Sequence, residues 1–284
     1  MLNDPKTVRI FSPRRKLQTP FRSMSMAWDE IYLSRHVIWQ LFARDFNANL
    51  RQKVFGYMWI FITPLLGIVS FVFLNYAGVL NPGVMEIPYP LFVYIGTSLW
   101  ALLTASVTSI ANGLIANSDL IIRTNTPKIG LTLTGLAGVI YNYIVGVIML
   151  LLIFLVYRIS PSPWMLIYPL VSLPILAIGV GVGLILAVVG TVARDITPIA
   201  VSILGLLMYA TPVVFNSDLS NPVLRPIIAA NPLTYLIDTP RSLVTSGIIP
   251  SPLGFLLASL MAASILILGI HAFYLAQDKV AERL

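Results

Sequence analysis

The sequence predicts an all-α polytopic membrane protein. Three observations support this fold class: the composition, the clustering of the charged residues and the distribution of the basic ones. Of the 284 residues, 57% are hydrophobic and only 10% are charged, with a mean hydropathy of +0.87. A soluble domain carries roughly 25% charged residues, so this chain lacks the polar surface that a water-soluble domain needs. The charged residues are also clustered, and most of the basic ones fall on one side of the predicted crossings.

Six stretches of the chain contain no Asp, Glu, Lys or Arg. They are residues 54–85, 87–118, 129–157, 159–193, 196–217 and 242–277. A helix needs about 20 apolar residues to cross the hydrocarbon core, so each stretch can hold one crossing. Because lipid offers the backbone no hydrogen-bond partners, the crossings must be helical. We predict six transmembrane helices, at residues 56–76, 91–116, 130–157, 165–192, 197–215 and 253–276.

Lysine and arginine set the predicted orientation. Six crossings leave both termini on one side, and fifteen of the eighteen basic residues lie there. The three on the opposite side are Arg158, Arg225 and Arg241. Since positive charge marks the cytoplasmic face, we expect both termini in the cytoplasm. The net charge of +7 is then mainly a topology signal, and nucleic-acid binding is a poor interpretation of it.

Residues 28–53 predict an amphipathic helix ahead of the first span. One helical stripe holds Trp28, Ile31, Tyr32, Ile38, Trp39, Phe42 and Phe46. An aromatic-rich amphipathic helix with basic residues is typical of a segment in the membrane interface. Docking on a soluble partner or on the helical bundle is the alternative, and it is compatible with the first interpretation.

The remaining segments complete the domain organisation. We expect a flexible cytoplasmic tail at residues 1–27, the six-helix domain at 54–278 and a short cytoplasmic tail at 279–284. Between the fifth and sixth spans, residues 216–252 are too apolar for a solvated loop and too interrupted by proline and charge to cross. Short re-entrant helices fit this segment if protein covers their backbone.

Several chemistries lack the residues they need. The sequence has no Gly-Lys dipeptide and therefore no P-loop for ATP phosphates. Gly179, Gly181 and Gly183 resemble part of a dinucleotide loop, but they lie in an apolar run, where close helix packing is the stronger interpretation. The two histidines, His36 and His271, are far apart, and cysteine is absent, so we expect no metal site and no cofactor in this chain. The spans hold no acidic or basic residue, apart from His271, to bind a coupling ion, so uphill transport would need energy from a partner.

Aromatic and polar residues near the spans are candidates for the lining of a substrate channel. They are Tyr57, Trp100, Tyr141, Asn142, Tyr143, Tyr209, Phe215 and Tyr235. Trp and Tyr also form interface belts in most membrane proteins, which is the alternative. Tyr141, Asn142, Tyr143 and Tyr209 lie near mid-span, where polar groups need hydrogen-bond partners and aromatic faces suit sugar rings.

Four short motifs follow the amphipathic helix in a fixed order. They are the loop 117–128 that ends in Thr126-Pro127-Lys128, the run from Val192 through Arg194 and Asp195, the run Met208 to Phe215, and the run Ala230 to Tyr235. In their order and spacing these segments resemble the transmembrane subunit of type-2 ABC exporters that carry polysaccharides or polyol phosphates. The resemblance covers residues 28 to 276.

This resemblance implies a non-catalytic subunit in a larger assembly. It implies a homodimer of six-helix halves, with two copies of a separate cytoplasmic ABC ATPase that binds ATP and Mg. The helix at 28–53 would be a gate helix at the lipid headgroups, through Trp28, Arg35, Trp39, Arg44 and Arg51. The coupling contacts to the ATPase would be Asp119, Arg123, Thr126, Pro127, Lys128, Arg194 and Asp195.

The resemblance also implies a cargo and a location. An undecaprenyl-linked glycan of the O-antigen type, exported across the bacterial inner membrane, fits best; teichoic acid, capsular polysaccharide, and drug or lipid export are alternatives. A membrane-embedded lipid glycosyl- or phosphotransferase is a further alternative. Such an enzyme usually needs clustered carboxylates for a divalent metal, and Asp119, Asp195 and Asp278 are isolated.

Overall fold

A computed structural model describes residues 19–51, 58–80, 82–83, 85–123, 126–217 and 224–280. Every regular element in these residues is helical, which confirms the all-α prediction. The α-helices are α1 (Pro20–Arg51), α2 (Met58–Tyr76), α3 (Tyr89–Ala111), α4 (Gly113–Ala116), α5 (Ser118–Arg123), α6 (Lys128–Thr132), α7 (Thr134–Val156), α8 (Tyr168–Val171), α9 (Leu173–Val192), α10 (Ile196–Leu207), α11 (Leu224–Ala230), α12 (Pro232–Thr245) and α13 (Pro252–Val280). Short 3₁₀ helices occupy Pro163–Ile167 and Met208–Ala210.

Each of the six predicted spans overlaps an apolar helix. Four helical segments of the described chain are long and apolar enough to cross a membrane: Tyr89–Ala111, Lys128–Val156, Pro163–Val192 and Pro252–Gln277. The first and fifth predicted spans correspond to shorter apolar helices, Phe61–Tyr76 and Ile196–Ala210.

The fifth predicted span ends earlier than expected, because a proline interrupts it. The helical backbone stops at Ala210, and Thr211 is extended, with φ −120° and ψ 140°. The ring of Pro212 disfavours a helical conformation in the residue before it. The predicted end at Phe215 is therefore five residues too late.

α9 packs between α3 and α13, and three glycines make these contacts possible. Gly179 and Gly183 face α3, where a Cβ on Gly179 would lie 2.6 Å from the Cβ of Ser106. Gly181 faces α13, where a Cβ would lie 2.6 Å from the carbonyl oxygen of Ile265. Helices in lipid associate through close packing of this kind, so the packing interpretation of the glycines is confirmed.

α1 docks on the helical bundle and begins at Pro20, eight residues before the predicted start. The early start has a packing reason, because Ser23 and Ala27 are buried against the bundle. The Ser23 hydroxyl oxygen lies 3.1 Å from Nδ1 of His271 on α13. Docking on the bundle, one of the two interpretations open from the sequence, is therefore observed.

Two short helices, α11 and α12, occupy part of the segment between the fifth and sixth predicted spans. Pro232 starts α12, and the Asn231 side chain accepts a hydrogen bond from the Leu233 amide at 3.0 Å, as a helix N-cap does. Leu236 and Ile237 of α12 are buried in the main hydrophobic core. Protein thus covers one side of this helix.

Candidate functional site

A cavity of about 480 Å³ opens between α2, α3, α7 and the start of the fourth predicted span. Its volume is within the usual range for small-molecule sites. The lining is mostly apolar, and its polar side chains are Thr63, Tyr94, Thr97, Ser98, Asn142, Tyr143 and Tyr168. None of the described residues that line it carries a formal charge.

Small residues at helical spacing create the space. Thr97, Ala101 and Ala105 follow one another at intervals of four on α3, so they share one face of that helix. Gly67 of α2 and Gly146 of α7 also line the cavity. A Cβ added to Gly67 would meet no atom within 4 Å. Short side chains on the neighbouring helices therefore keep the volume open.

Three tyrosines form one polar wall of the cavity. The Tyr94 hydroxyl donates to the carbonyl of Gly146 at 2.7 Å, and the Tyr143 hydroxyl donates to Oγ of Ser172 at 2.8 Å. The rings of Tyr143 and Tyr168 stack, with centroids 6.2 Å apart and planes 21° apart. These contacts hold the three rings in fixed positions.

The Tyr168 hydroxyl has unused hydrogen-bonding capacity. Tyr168 is only 1% exposed, yet its hydroxyl makes no hydrogen bond within the described structure. The Ser98 side chain interacts with it electrostatically, but no hydrogen bond of good geometry joins the two hydroxyls, and the Ser98 hydroxyl donates to the carbonyl of Ile95 at 2.9 Å. A buried polar group without a partner costs about 1–3 kcal/mol, and most such groups in proteins are satisfied by protein or by water. The Tyr168 hydroxyl is therefore a ready partner for a molecule in the cavity.

The structure brings Asn142 and Tyr143 together at this cavity, whereas their neighbours in the predicted lining lie elsewhere. Tyr141 packs on α1, with its ring centroid 4.7 Å from that of Phe46. Trp100 is 5% exposed and belongs to the hydrophobic core. Tyr57 lies outside the described residues.

The other three predicted lining residues are also away from the cavity. Tyr209 is 64% exposed in the 3₁₀ turn after α10. Phe215 is half-buried against the core. The Tyr235 hydroxyl donates to the carbonyl of Ala229 at 2.7 Å, which links α12 to α11.

Sequence reasoning missed Tyr94 and Tyr168, which carry the polar wall with Tyr143. Both lie within a few residues of the start of a predicted span. Tyrosine is common at that depth because it forms interface belts, so neither residue stood out as a lining candidate. The spacing of Thr97, Ala101 and Ala105 was the available signal, since a face of small residues leaves space beside a helix.

A polar seam joins α1 to α13 at the end of the bundle opposite α12. Glu30 accepts a hydrogen bond from the Tyr274 hydroxyl at 2.8 Å. Together with the contact of Ser23 and His271, it fixes one side of α1. Ser34 of α1 is buried beside Gly130, where an added Cβ would lie 2.6 Å from the Cβ of Ser34.

The opposite edge of α1 carries the predicted lipid-facing residues. Trp28 is 73% exposed and Trp39 is 65% exposed. The Arg35 guanidinium lies 4.1 Å from the ring centroid of the exposed Tyr32, a distance typical of cation–π contacts. Arg44 is exposed as well. Arg51 is the last residue of α1, and its side chain lies outside the described part.

The predicted coupling residues form a short helix and the loop after it. Asp119 is in the first turn of α5 and Arg123 in its last turn, the arrangement that the helix dipole favours. Both are exposed. The Lys128 ammonium donates to the carbonyl of Gln277 at 2.7 Å, which ties the end of the loop to α13.

The other predicted coupling residues lie in two places. Thr126 and Pro127 directly precede α6, and Arg194 and Asp195 lie in the turn between α9 and α10. Thr126 and Pro127 are half-buried, and Pro127 occupies the N-cap position of α6. Arg194 and Asp195 are exposed between α9 and α10.

A buried ion pair at the α12 end of the bundle was not predicted. The Arg241 guanidinium donates to Asp238 at 2.7 Å and to the carbonyls of Pro212 and Val213 at 2.9 and 2.8 Å. Its Cζ lies 3.8 Å from the ring centroid of Phe92. Burial raises the pKa of the Asp238 carboxyl, and the guanidinium opposes that rise. The pair fixes the turn after α10 against α3 and α12.

Comparison with known proteins places this architecture among transporters. A family model described as "ABC-2 type transporter" matches residues 36–244. The chain is 24% identical over 212 residues to the O-antigen export system permease protein RfbA of Myxococcus xanthus, covering 74% of this chain and 80% of that protein. It is 25% identical over 208 residues to an O-antigen export system permease protein RfbA of Klebsiella pneumoniae, covering 72% of this chain and 79% of that protein.

Proposed function

The chain belongs to the ABC-2 type transporter family, and on this premise we propose that it is the permease subunit of an ATP-driven exporter of a lipid-linked polysaccharide. The relatives named above are O-antigen export permeases, which favours a glycan of that type as cargo. The observation that carries the proposal is the uncharged, hydroxyl-lined cavity among the span helices, because hydroxyl groups and aromatic faces suit sugars.

The assembly is a homodimer in the bacterial inner membrane, and each copy contributes six spans and a gate helix. α2 and the helical segment Ile196–Ala210 supply the first and fifth spans, in agreement with the charge-free stretches there. Both termini are cytoplasmic, as the distribution of lysine and arginine favours. The undecaprenyl-linked glycan passes through a channel that Tyr143, Asn142 and the exposed Tyr209 help to line.

The energy comes from two copies of a separate ABC ATPase, which hold ATP and Mg. The sequence supports this division, since it has no P-loop of its own. α5 is the main contact, because Asp119 and Arg123 are exposed on it. Lys128 carries the movement to α13 through its bond to the carbonyl of Gln277.

α1 acts as the gate helix at the lipid surface. Its exposed edge, with Trp28, Trp39 and Arg35, contacts lipid headgroups, which suit aromatic rings and basic side chains. Arg44, which is also exposed, extends the basic surface of α1. The seam with α13 keeps the other side of α1 on the bundle, so movement of α13 also moves the gate.

The proposal is tested by co-expression with a cognate ABC ATPase and purification through a tag on this chain. We expect the ATPase to co-purify and its ATP hydrolysis to rise with an undecaprenyl-linked glycan but not with a drug or a phospholipid. Asp119→Lys should weaken the association, whereas Glu86→Lys, an exposed change between α2 and α3, should leave it intact. ATP hydrolysis by this chain alone would contradict the proposal.

A further inference from the structure

We propose that the cavity between α2, α3 and α7 binds uncharged sugar residues and discriminates against acidic ones. The inference rests on the proposed function, because it names the class of glycan that this permease accepts. It extends that function from the general class of polysaccharide to the charge of the individual sugar.

The first argument is the absence of a counter-charge. No described residue that lines the cavity is Lys, Arg or His. Arg241 does not line the cavity; its two Nη atoms bond to Asp238 and to the carbonyls of Pro212 and Val213, and the Asp238 carboxylate balances its charge. A carboxylate in this cavity would lose water without gaining a cation, which is strongly unfavourable in a low-dielectric environment.

The second argument is the direction of the hydrogen bonds in the lining. A side-chain hydroxyl has one proton to donate and two lone pairs to accept with. Five of the hydroxyls donate that proton within the protein: Thr63 to the carbonyl of Trp59, Thr97 to that of Val93, Ser98 to that of Ile95, Tyr94 to that of Gly146, and Tyr143 to Oγ of Ser172. The cavity therefore offers mainly lone pairs. A sugar hydroxyl can donate to them, whereas a carboxylate cannot.

The third argument concerns the groups that still have protons to give. The buried Tyr168 hydroxyl makes no hydrogen bond within the described structure, and the exposed Asn142 amide lines the same cavity. A sugar hydroxyl both donates and accepts, so it satisfies these groups together with the lone pairs around them. The lining also includes the indole of Trp59 and the ring of Tyr143, which suit the apolar faces of a sugar ring.

The test is a binding measurement on the purified full-length permease in lipid nanodiscs. Calorimetry compares a neutral gluco-oligosaccharide with an oligogalacturonate of the same length. We expect the neutral chain to bind about tenfold more tightly or better, since a site built for hydroxyl groups rejects a ligand that leaves its polar atoms unpaired. Tyr168→Phe removes only the unpartnered hydroxyl and should weaken binding of the neutral chain about tenfold.

Two further variants keep the test decisive. Tyr89→Phe is the matched control, because the Tyr89 hydroxyl donates to the carbonyl of Val214 outside the cavity and its loss should leave sugar affinity unchanged. If Tyr168→Phe does not fold, Ala101→Leu fills the cavity without changing any polar group and should abolish binding of the neutral chain.

Equal or tighter binding of the oligogalacturonate would overturn the proposal, and so would an absence of sugar binding. Native mass spectrometry that shows only phospholipid retained, with no displacement by the neutral chain, would overturn it as well.

The calorimetric binding measurement needs no ATPase, so its outcome is separable from that of the proposed function. Association with an ATPase without sugar binding would refute only the cavity site. Neutral-sugar binding by a chain that fails to associate with any ATPase in the co-purification would refute only the exporter.

Discussion

The guanidinium of Arg241 contacts three separate parts of the chain. It bonds to Asp238 on its own helix, to two carbonyls of the turn after α10, and it lies over Phe92 of α3. Gly96 is required beside it, because an added Cβ would lie 2.5 Å from Nη2 of Arg241. One side chain therefore sets the position of the turn that ends the fifth predicted span.

Replacing Arg241 with Ala should destabilise the α12 end of the bundle. The change leaves Asp238 and the carbonyls of Pro212 and Val213 buried without their partner, and breaking a buried pair in this way costs about 3 to 5 kcal/mol. Thermal unfolding of the detergent-solubilised protein measures the loss. Arg225→Ala, which removes an exposed arginine from the same end, is the control and should change stability by less than about 0.5 kcal/mol. Equal melting of the two variants would show that the pair contributes no stability.

The sequence identified Arg241 only as one of three basic residues outside the set that is predicted to be cytoplasmic. Its partners were not predictable, because Pro212 and Val213 are nearly thirty residues away along the chain. Hydropathy treats an arginine as an obstacle to burial, whereas here carbonyl oxygens and a carboxylate satisfy most of its donors.

At the scale of the element, α9 was the most predictable helix. Its apolar run set the span, and its glycines at intervals of two indicated close packing before any partner was known. Residues two apart on a helix point to nearly opposite sides, so Gly181 faces α13 while Gly179 and Gly183 face α3. The sequence could not say which helices these were.

Gly181→Ala should push α9 and α13 apart. The new Cβ would lie 2.6 Å from the carbonyl oxygen of Ile265, and backbone atoms cannot move aside without separating the helices. We expect a clear fall in the thermal unfolding temperature. Gly205→Ala on α10 is the matched control, since no atom lies within 4 Å of its added Cβ. Alanine is favoured over glycine in a helix by about 1 kcal/mol, so that variant should be unchanged or slightly more stable. A fall of the same size in both variants would mean that helix packing at Gly181 is loose.

α1 shows where periodicity succeeds and where it fails. The pattern from Trp28 onward predicted a helix, but only part of its stripe docks: Phe42 and Phe46 pack on Tyr141, whereas Trp28 and Trp39 are exposed. The docking side also uses Ser23, Ala27 and Ser34, small residues that a hydropathy pattern does not mark as a packing face. Small size matters there because α1 lies close to Gly130 and α13.

For the whole molecule, the candidate site was partly predictable. Asn142 and Tyr143 were identified because polar groups at mid-span need a reason to be there. The cavity itself depends on how α2, α3 and α7 pack, and distant pairs such as Tyr94 with Gly146 exist only in the folded chain. Depth in the membrane follows from sequence, whereas proximity between helices does not.

The orientation of the whole chain is the last expectation that a direct measurement decides. The sequence has no cysteine, so single substitutions give unambiguous labelling sites. Glu86 and Asp119 are both exposed. Glu86 precedes α3 and Asp119 follows it, and the 23 residues of this helix span about 34 Å. In spheroplasts, a membrane-impermeant maleimide should label Glu86→Cys. It should also label Arg158→Cys, because Arg158 follows α7 and two predicted spans separate it from Glu86. It should label Asp119→Cys only after the membrane is permeabilised. The reverse pattern would place the basic end outside, and labelling of all three sites from one side would mean that α3 does not cross.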